Sequence, residues 1–207
     1  MRQLIDALEG LLTATSIAGG ETVDDVNFAI AGVDWSAKLK AEKPCSYPIV
    51  DDQLEKSCDD SIHEYGSNAH LVCEAVLEVR DQLRWCVGYE EYENEPDMAA
   101  LSRNFAYCTL IGKGEPLHSD KIYAGISLQG RDTYYPPHAH QADERYWVVG
   151  GNGDWKVGLE PWFAVEHGAM IHHDTGVRHA MQTNADPLLC VWLWTSYLDS
   201  SVVIVRG

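Results

Sequence analysis

The sequence predicts a mainly β protein, a β-barrel carried behind a helical N-terminal extension. Near residue 105 the chain changes from apolar residues at helical spacing to short β-rich runs. Those runs are many and closely spaced, the pattern of a sandwich or barrel. The length, 207 residues, suits one domain with a proper core and an extension. The division implied is 1–105 as a helical region packed on the barrel and 106–207 as the barrel domain.

The first helix rests on Leu4, Ile5, Leu8, Leu11 and Leu12, which share one face at i, i+3, i+4, i+7 spacing. Residues 19 to 60 are rich in Gly, Asp, Pro and Lys and read as loop, with a short helix around 51–64. Leu71, Val72, Ala75, Val76, Val79 and Leu83 mark a longer helix ending near Trp85. Asp97 to Phe105 is a third, opened by Pro96 and acidic residues. The expected strands are Ala106–Ile111, Ile122–Leu128, Arg145–Val149, Trp155–Val157, Trp162–Val165, Ala169–Ile171, Ala180–Gln182, Leu188–Trp194 and Val202–Val205. Gly150-Gly151-Asn152-Gly153-Asp154 reads as a hairpin turn between two of them.

Net charge is −17, from 32 acidic and 15 basic residues. Such a surface repels nucleic acid and anionic membranes, so neither is expected as a partner. The N-terminal half is acidic and shows no basic recognition helix. Cys45, Cys58, Cys73, Cys86, Cys108 and Cys190 form no C-x-x-C pair, which excludes a zinc ribbon or thioredoxin-like motif. They read as reduced thiols. With no secretory signal and no apolar run of the ~18 residues a membrane span needs, a cytoplasmic location is expected.

The chemistry concentrates in Pro136-Pro137-His138-Ala139-His140-Gln141-Ala142-Asp143-Glu144-Arg145-Tyr146. In an extended chain His138 and His140 point to the same side. Glu144 follows near the start of the next strand. Two imidazoles and a carboxylate suit one divalent ion such as Zn, Fe, Mn, Co or Ni. A fourth ligand must come from elsewhere, and Gly176-Val177-Arg178-His179, at a turn before a strand, offers His179. His173 is its nearest substitute, since one of His172 and His173 can face the pocket; otherwise His118, His167, His172 and His173 read as structural or solvated.

These two segments resemble the two cupin motifs. His138, His140, Glu144 and Gly151 fall at the gaps of the first, although Gly130 lies two positions too far upstream for its leading glycine. Gly168, Gly176 and His179 match the second, with Asp174 in place of its proline and Thr183 in place of its asparagine. The resemblance implies a cupin, or jelly-roll-like, β-barrel.

A narrower resemblance lies in Tyr134-Tyr135-Pro136 before the histidine pair, Glu144-x-Tyr146, and Trp192-x-Trp194 after His179. Together with the helical first half, these are similar to the bacterial cupin dimethylsulfoniopropionate (DMSP) lyases. That resemblance implies β-elimination of a small zwitterionic sulfonium substrate to dimethyl sulfide and acrylate. A metal on His138, His140, Glu144 and His179 would bind the substrate carboxylate, and a tyrosine would take the α-proton. Tyr146, two residues past Glu144 and so on the same face of the strand, is the preferred base. Tyr135 is the alternative, as base or as hydrogen-bond donor to substrate. Tyr123, Tyr135 and Trp194 are the expected substrate-binding residues, offering π-faces or hydroxyls. The same ligand set suits an Fe(II) dioxygenase, or a non-catalytic cupin that binds a small ligand. Whether the helical half closes the pocket or forms a homodimer interface stays open.

Overall fold

The computed structural model describes residues 1–18, 24–59, 66–89, 92 and 94–206. Its helices are α1 (Arg2–Ala18), α2 (Asp24–Ala31), α3 (Pro48–Ser57), α4 (Asn68–Val79) and α5 (Pro96–Asn104). Pro48 opens α3, where its missing N–H costs nothing and its fixed φ suits the first turn. The short helix expected at 51–64 therefore starts earlier and ends at Ser57; residues 60–64 of that expectation lie outside the described residues. Ser67 caps α4, its side chain accepting from the His70 backbone N–H. This helix stops at Val79 instead of running to Trp85. One 3₁₀ turn, Arg80–Gln82, follows, and Leu83 is extended with ψ 147°. Leu83 is still buried, but Leu71 is 43% exposed and off the apolar face assigned to it.

The strands are β1 (Phe105–Gly112), β2 (Leu117–His118), β3 (Tyr123–Gln129), β4 (Tyr134–Ala139), β5 (Glu144–Val157), β6 (Phe163–Glu166), β7 (Met170–His173), β8 (His179–Gln182), β9 (Leu188–Trp194) and β10 (Val203–Ile204). They build two sheets joined through β5. Its first half lies between β7 and β9, and the sheet continues through β3 and β1 to β2. Its second half lies between β6 and β8, and that sheet continues through β4 to β10. All pairs are antiparallel except β1–β2.

The hairpin expected at Gly150–Asp154 is absent: these residues run inside the continuous strand β5. The register shifts between Val148 and Gly150, and Gly151 has φ +72°. Glycines in a strand here make a bulge that carries the chain from one sheet into the other. Strand β4 runs through Pro136-Pro137, which sequence alone disfavours. Its pairing with β8 is irregular between Tyr135 and His138, where neither proline has to donate to the ladder.

Two cores lie on opposite faces of the β1-β3-β9-β5 sheet. Outside it, Ala106, Cys108, Ile126, Trp147, Val149 and Val191 pack with apolar side chains of α1 to α4. Inside it, Tyr146, Val148, Cys190, Trp192 and Trp194 pack with Tyr135, Trp155 and Met181 from the other sheet and with Met98 and Leu101 of α5. Burial on both faces explains why Leu188–Trp194 is apolar at every position. Helices α1 to α4 thus back the barrel wall, and α5 packs with the barrel interior.

The backing layer touches the wall closely at Gly150. A Cβ there would stand 2.1 Å from the Ser57 carbonyl oxygen and 3.3 Å from Cys73 Sγ. Gly150→Ala forces backbone apart, and the expected cost is about 1–3 kcal/mol, read as a melting temperature several degrees lower. An unchanged melting temperature would show that the helical layer yields freely at this contact.

None of the six cysteines is disulfide-bonded. Among the described residues no helix is long and apolar enough to cross a membrane.

Candidate active site

Strand register assembles the site. Across the inner face of one sheet, Tyr123 pairs with Trp194, Trp194 with Glu144, and Glu144 with His173. One step along, Gly125, Trp192, Tyr146 and Ile171 form a parallel row. Directly paired residues project from the same face, so each row is a strip of neighbouring side chains. Gly125 has no room for a side chain: a Cβ would lie 2.7 Å from the Trp192 ring and 2.1 Å from the Cys108 carbonyl oxygen. From the second sheet comes the directly paired couple His138 and His179.

The histidines are oriented alike. His138 Nδ1 lies 2.9 Å from the Pro136 carbonyl, His140 Nδ1 3.0 Å from that of Ala142, and His179 Nδ1 3.0 Å from that of Val177. A carbonyl only accepts, so each Nδ1 carries a proton and Nε2 is the ring atom turned inward. The Nε2 atoms of His140 and His179 stand 2.9 and 3.4 Å from Glu144 Oε2. His140, Glu144 and His179 bring their ligand atoms within 4.8 Å of one another. His138 stands just outside that group, its ring edge-on to His179 at a centroid distance of 4.0 Å. Burial pushes its imidazole down to about 3, so it is a neutral donor at ordinary pH. His179 Nε2 is buried with no hydrogen-bond partner among the described residues. Buried ring nitrogens converging on one carboxylate are a donor set suited to a cation. Three imidazoles and one carboxylate fit a divalent transition metal.

The Glu144 carboxylate is held at both oxygens. Oε1 accepts from the Trp194 indole N–H at 2.6 Å, and Oε2 from His173 Nδ1 at 3.0 Å. Burial pushes this carboxyl up, but hydrogen bonds from His140 and His173 outweigh it and hold it well below the usual carboxylate range. Glu144 is therefore an anion inside the barrel. Its sequence neighbours face away, where Arg145 pairs with Asp143 at 2.5 Å and Asp143 with His172 at 2.9 Å.

These groups open into a cavity of about 440 Å³ that also reaches Tyr123, Tyr135 and Tyr146. Tyr146 is buried, its ring 5.1 Å from that of Trp155 and 5.7 Å from that of His173. Burial pushes this phenol well above its ordinary value, and the Glu144 charge pushes it the same way. Tyr135 stacks flat on His138 at 3.8 Å, and its hydroxyl meets that of Tyr89. Tyr123 accepts from the Thr109 hydroxyl at 3.2 Å, and burial raises its phenol too. Trp194 leans over His140 at 4.8 Å. Seven of the eight residues singled out by the sequence thus line one cavity, and His179 stands behind it against His138 and Glu144.

Sequence reasoning missed several residues of this neighbourhood. His173, expected to be structural or at most a substitute for His179, is 0% exposed and touches Glu144. The alternation of β7 was its available signal, since His172 and His173 must face opposite ways. Trp192 lines the cavity one pleat from Trp194. Tyr89, with φ +69°, reaches the cavity from the segment between α4 and α5, and no motif announces it.

A sequence model of the dimethylsulfoniopropionate lyase family matches residues 31–190. DddQ of Ruegeria pomeroyi, a dimethylsulfoniopropionate lyase, is 28% identical over 145 residues, covering 67% of this chain and 71% of that one. The crystal structure of DMSP lyase DddQ from Ruegeria pomeroyi DSS-3 matches with a TM-score of 0.75 at 22% identity, over 98% of this chain and 96% of that one. A structure from work on the DMSP lyases RdDddP and RnDddQII matches with a TM-score of 0.69 at 23% identity, over 85% and 88%.

Proposed function

Because the chain belongs to the cupin-type DMSP lyase family and is a carbon–sulfur lyase, we propose that it cleaves DMSP by metal-dependent β-elimination with Tyr146 as the base. The observation that supports this most directly is the strand register that sets Tyr146 one pleat from Glu144 on the same inner face, so that a phenol lines the same cavity as the candidate metal ligands.

His138, His140, Glu144 and His179 would hold the ion, which on binding the substrate carboxylate acts as a Lewis acid toward the developing enolate charge. Zn, Fe, Mn, Co and Ni all suit this donor set. The chain's own residues do the rest. The Tyr146 oxygen takes a proton from the carbon next to the carboxylate. The C–H electron pair becomes the new carbon–carbon double bond. The bond from the β-carbon to sulfur breaks, and its electrons stay on sulfur. Dimethyl sulfide and acrylate leave, and the proton on Tyr146 returns to solvent. The leaving group departs neutral, so no general acid is required.

The sulfonium needs a π-rich wall. Tyr135 has one face on His138, and Trp194 has its indole N–H on Glu144 and leans over His140. Both bind from the metal side. Tyr123 packs against Trp192 at 5.2 Å and Trp194 at 5.7 Å, and this trio is the best-placed cage for the cation.

The test is dimethyl sulfide in the headspace when DMSP is added to metal-loaded protein, with acrylate formed in equal amount. No dimethyl sulfide with any of the five metals would sink the proposal. Oxygen uptake coupled to turnover would point instead to dioxygenase chemistry on the same ligands.

A further inference from the structure

The geometry points to His173 as a positioning residue that holds the metal-site carboxylate Glu144 in place without itself being a ligand. This rests on the metal-site reading above and deepens it. His173 is fully buried on β7, directly opposite Glu144 in the strand register. Both of its ring nitrogens are engaged. Nε2 accepts from the Trp155 indole N–H at 2.9 Å, and Nδ1 faces Glu144 Oε2 at 3.0 Å. An indole nitrogen only donates, so Trp155 requires the Nε2 lone pair. The proton of the neutral ring is then fixed on Nδ1, where it points at the carboxylate. A nitrogen already occupied by an indole hydrogen, and another spent on Glu144, leave His173 nothing to offer a metal.

The opposite oxygen of Glu144 is tied in the same manner by Trp194 at 2.6 Å. With a donor on each oxygen, the carboxylate cannot rotate, and only Oε2 faces the Nε2 atoms of His140 and His179. Glu144 is thereby set to bind through one oxygen, which keeps neighbouring coordination positions free for a substrate carboxylate. The His173 ring also stacks on His179 at 3.7 Å with an interplanar angle of 16°. One residue thus braces a ligand from each sheet. Outer partners of this kind tune metal affinity about 10–100-fold.

The discriminating experiment compares His173→Leu with His173→Asn. Asparagine places its amide nitrogen where the imidazole has Nδ1, so it can still donate to Glu144; leucine cannot. Neither offers Trp155 an acceptor, so the comparison isolates the bond to Glu144. Metal affinity is measured by chelator competition, and the site geometry by the visible spectrum of the Co(II)-substituted protein. His173→Leu is expected to weaken Co(II) and Zn(II) binding about 10–100-fold and to alter the spectrum, with His173→Asn recovering most of both. Trp155→Phe, which keeps the imidazole but frees its tautomer, is expected to weaken metal binding by a smaller factor. It decides the matter if the leucine variant does not fold. Wild-type affinity and spectrum in His173→Leu would overturn the inference, as would an asparagine variant no better than leucine, or a Trp155→Phe protein indistinguishable from wild type. A wild-type protein that binds no metal would instead defeat the functional reading beneath it.

Discussion

Tyr146→Phe is expected to lower dimethyl sulfide release by about 10²–10⁴-fold, the usual contribution of a positioned general base. Its metal content should stay that of the wild type. The substitution removes one oxygen from the buried cavity wall and leaves Glu144 its donors from His173 and Trp194. The loss should fall on kcat, because a phenyl ring fills the same wall of the cavity. A pH profile adds a second reading. A phenol serving as base is active only when ionised, so on the proposed mechanism the wild-type rate should climb with pH along its acidic limb. Burial and the Glu144 charge both raise this phenol, so in the protein without metal it is protonated at neutral pH. A bound divalent cation is the counterweight that brings it into a working range. The Tyr135→Phe protein should keep the acidic limb, since its hydroxyl is paired with that of Tyr89. More than a tenth of wild-type activity in Tyr146→Phe would remove it as the base and promote Tyr135.

Glu144→Gln is expected to cost about 10²–10³-fold in metal affinity, the scale of removing one partner from a buried charged group. The size and shape of the side chain are kept, but the negative charge that balances the ion is lost. The amide is also badly matched to its surroundings. Its nitrogen must face one of two donors, the Trp194 indole or the His173 imidazole, and a buried donor against a donor is left unsatisfied. Chelator competition and metal analysis on the purified protein measure this directly. A variant that binds metal as tightly as the wild type would place the ion somewhere other than against Glu144.

Much of this site was legible because its ligands are local. His138, His140 and Glu144 lie within seven residues, and period-2 alternation put Tyr146 on the face of Glu144. The remainder depends on pairing between distant segments. Nothing near residue 173 says that it lies opposite residue 144, and nothing near Tyr89 says that it meets Tyr135. Turn chemistry misled at Gly150–Asp154, where glycines serve close backbone approach and a change of sheet. Strand β4, absent from the strands expected from sequence, carries Pro136-Pro137, because an irregular ladder tolerates what a regular one rejects. The end of α4 was misplaced since Leu83 is buried by tertiary contacts beyond the helix, which local periodicity cannot separate from a helical face.

The row from Tyr123 through Trp194 and Glu144 to His173 exists only when three strand pairings are in correct register. A slip of one residue in any of them turns a whole strand's inward set to the outer face. A chain with a slipped strand would keep most of its secondary structure yet separate the carboxylate from its imidazoles. On the proposed metal site, metal uptake would therefore act as a proofreading signal for folding: a protein preparation would sort into correctly and incorrectly threaded molecules by the ion they retain, before any substrate is added.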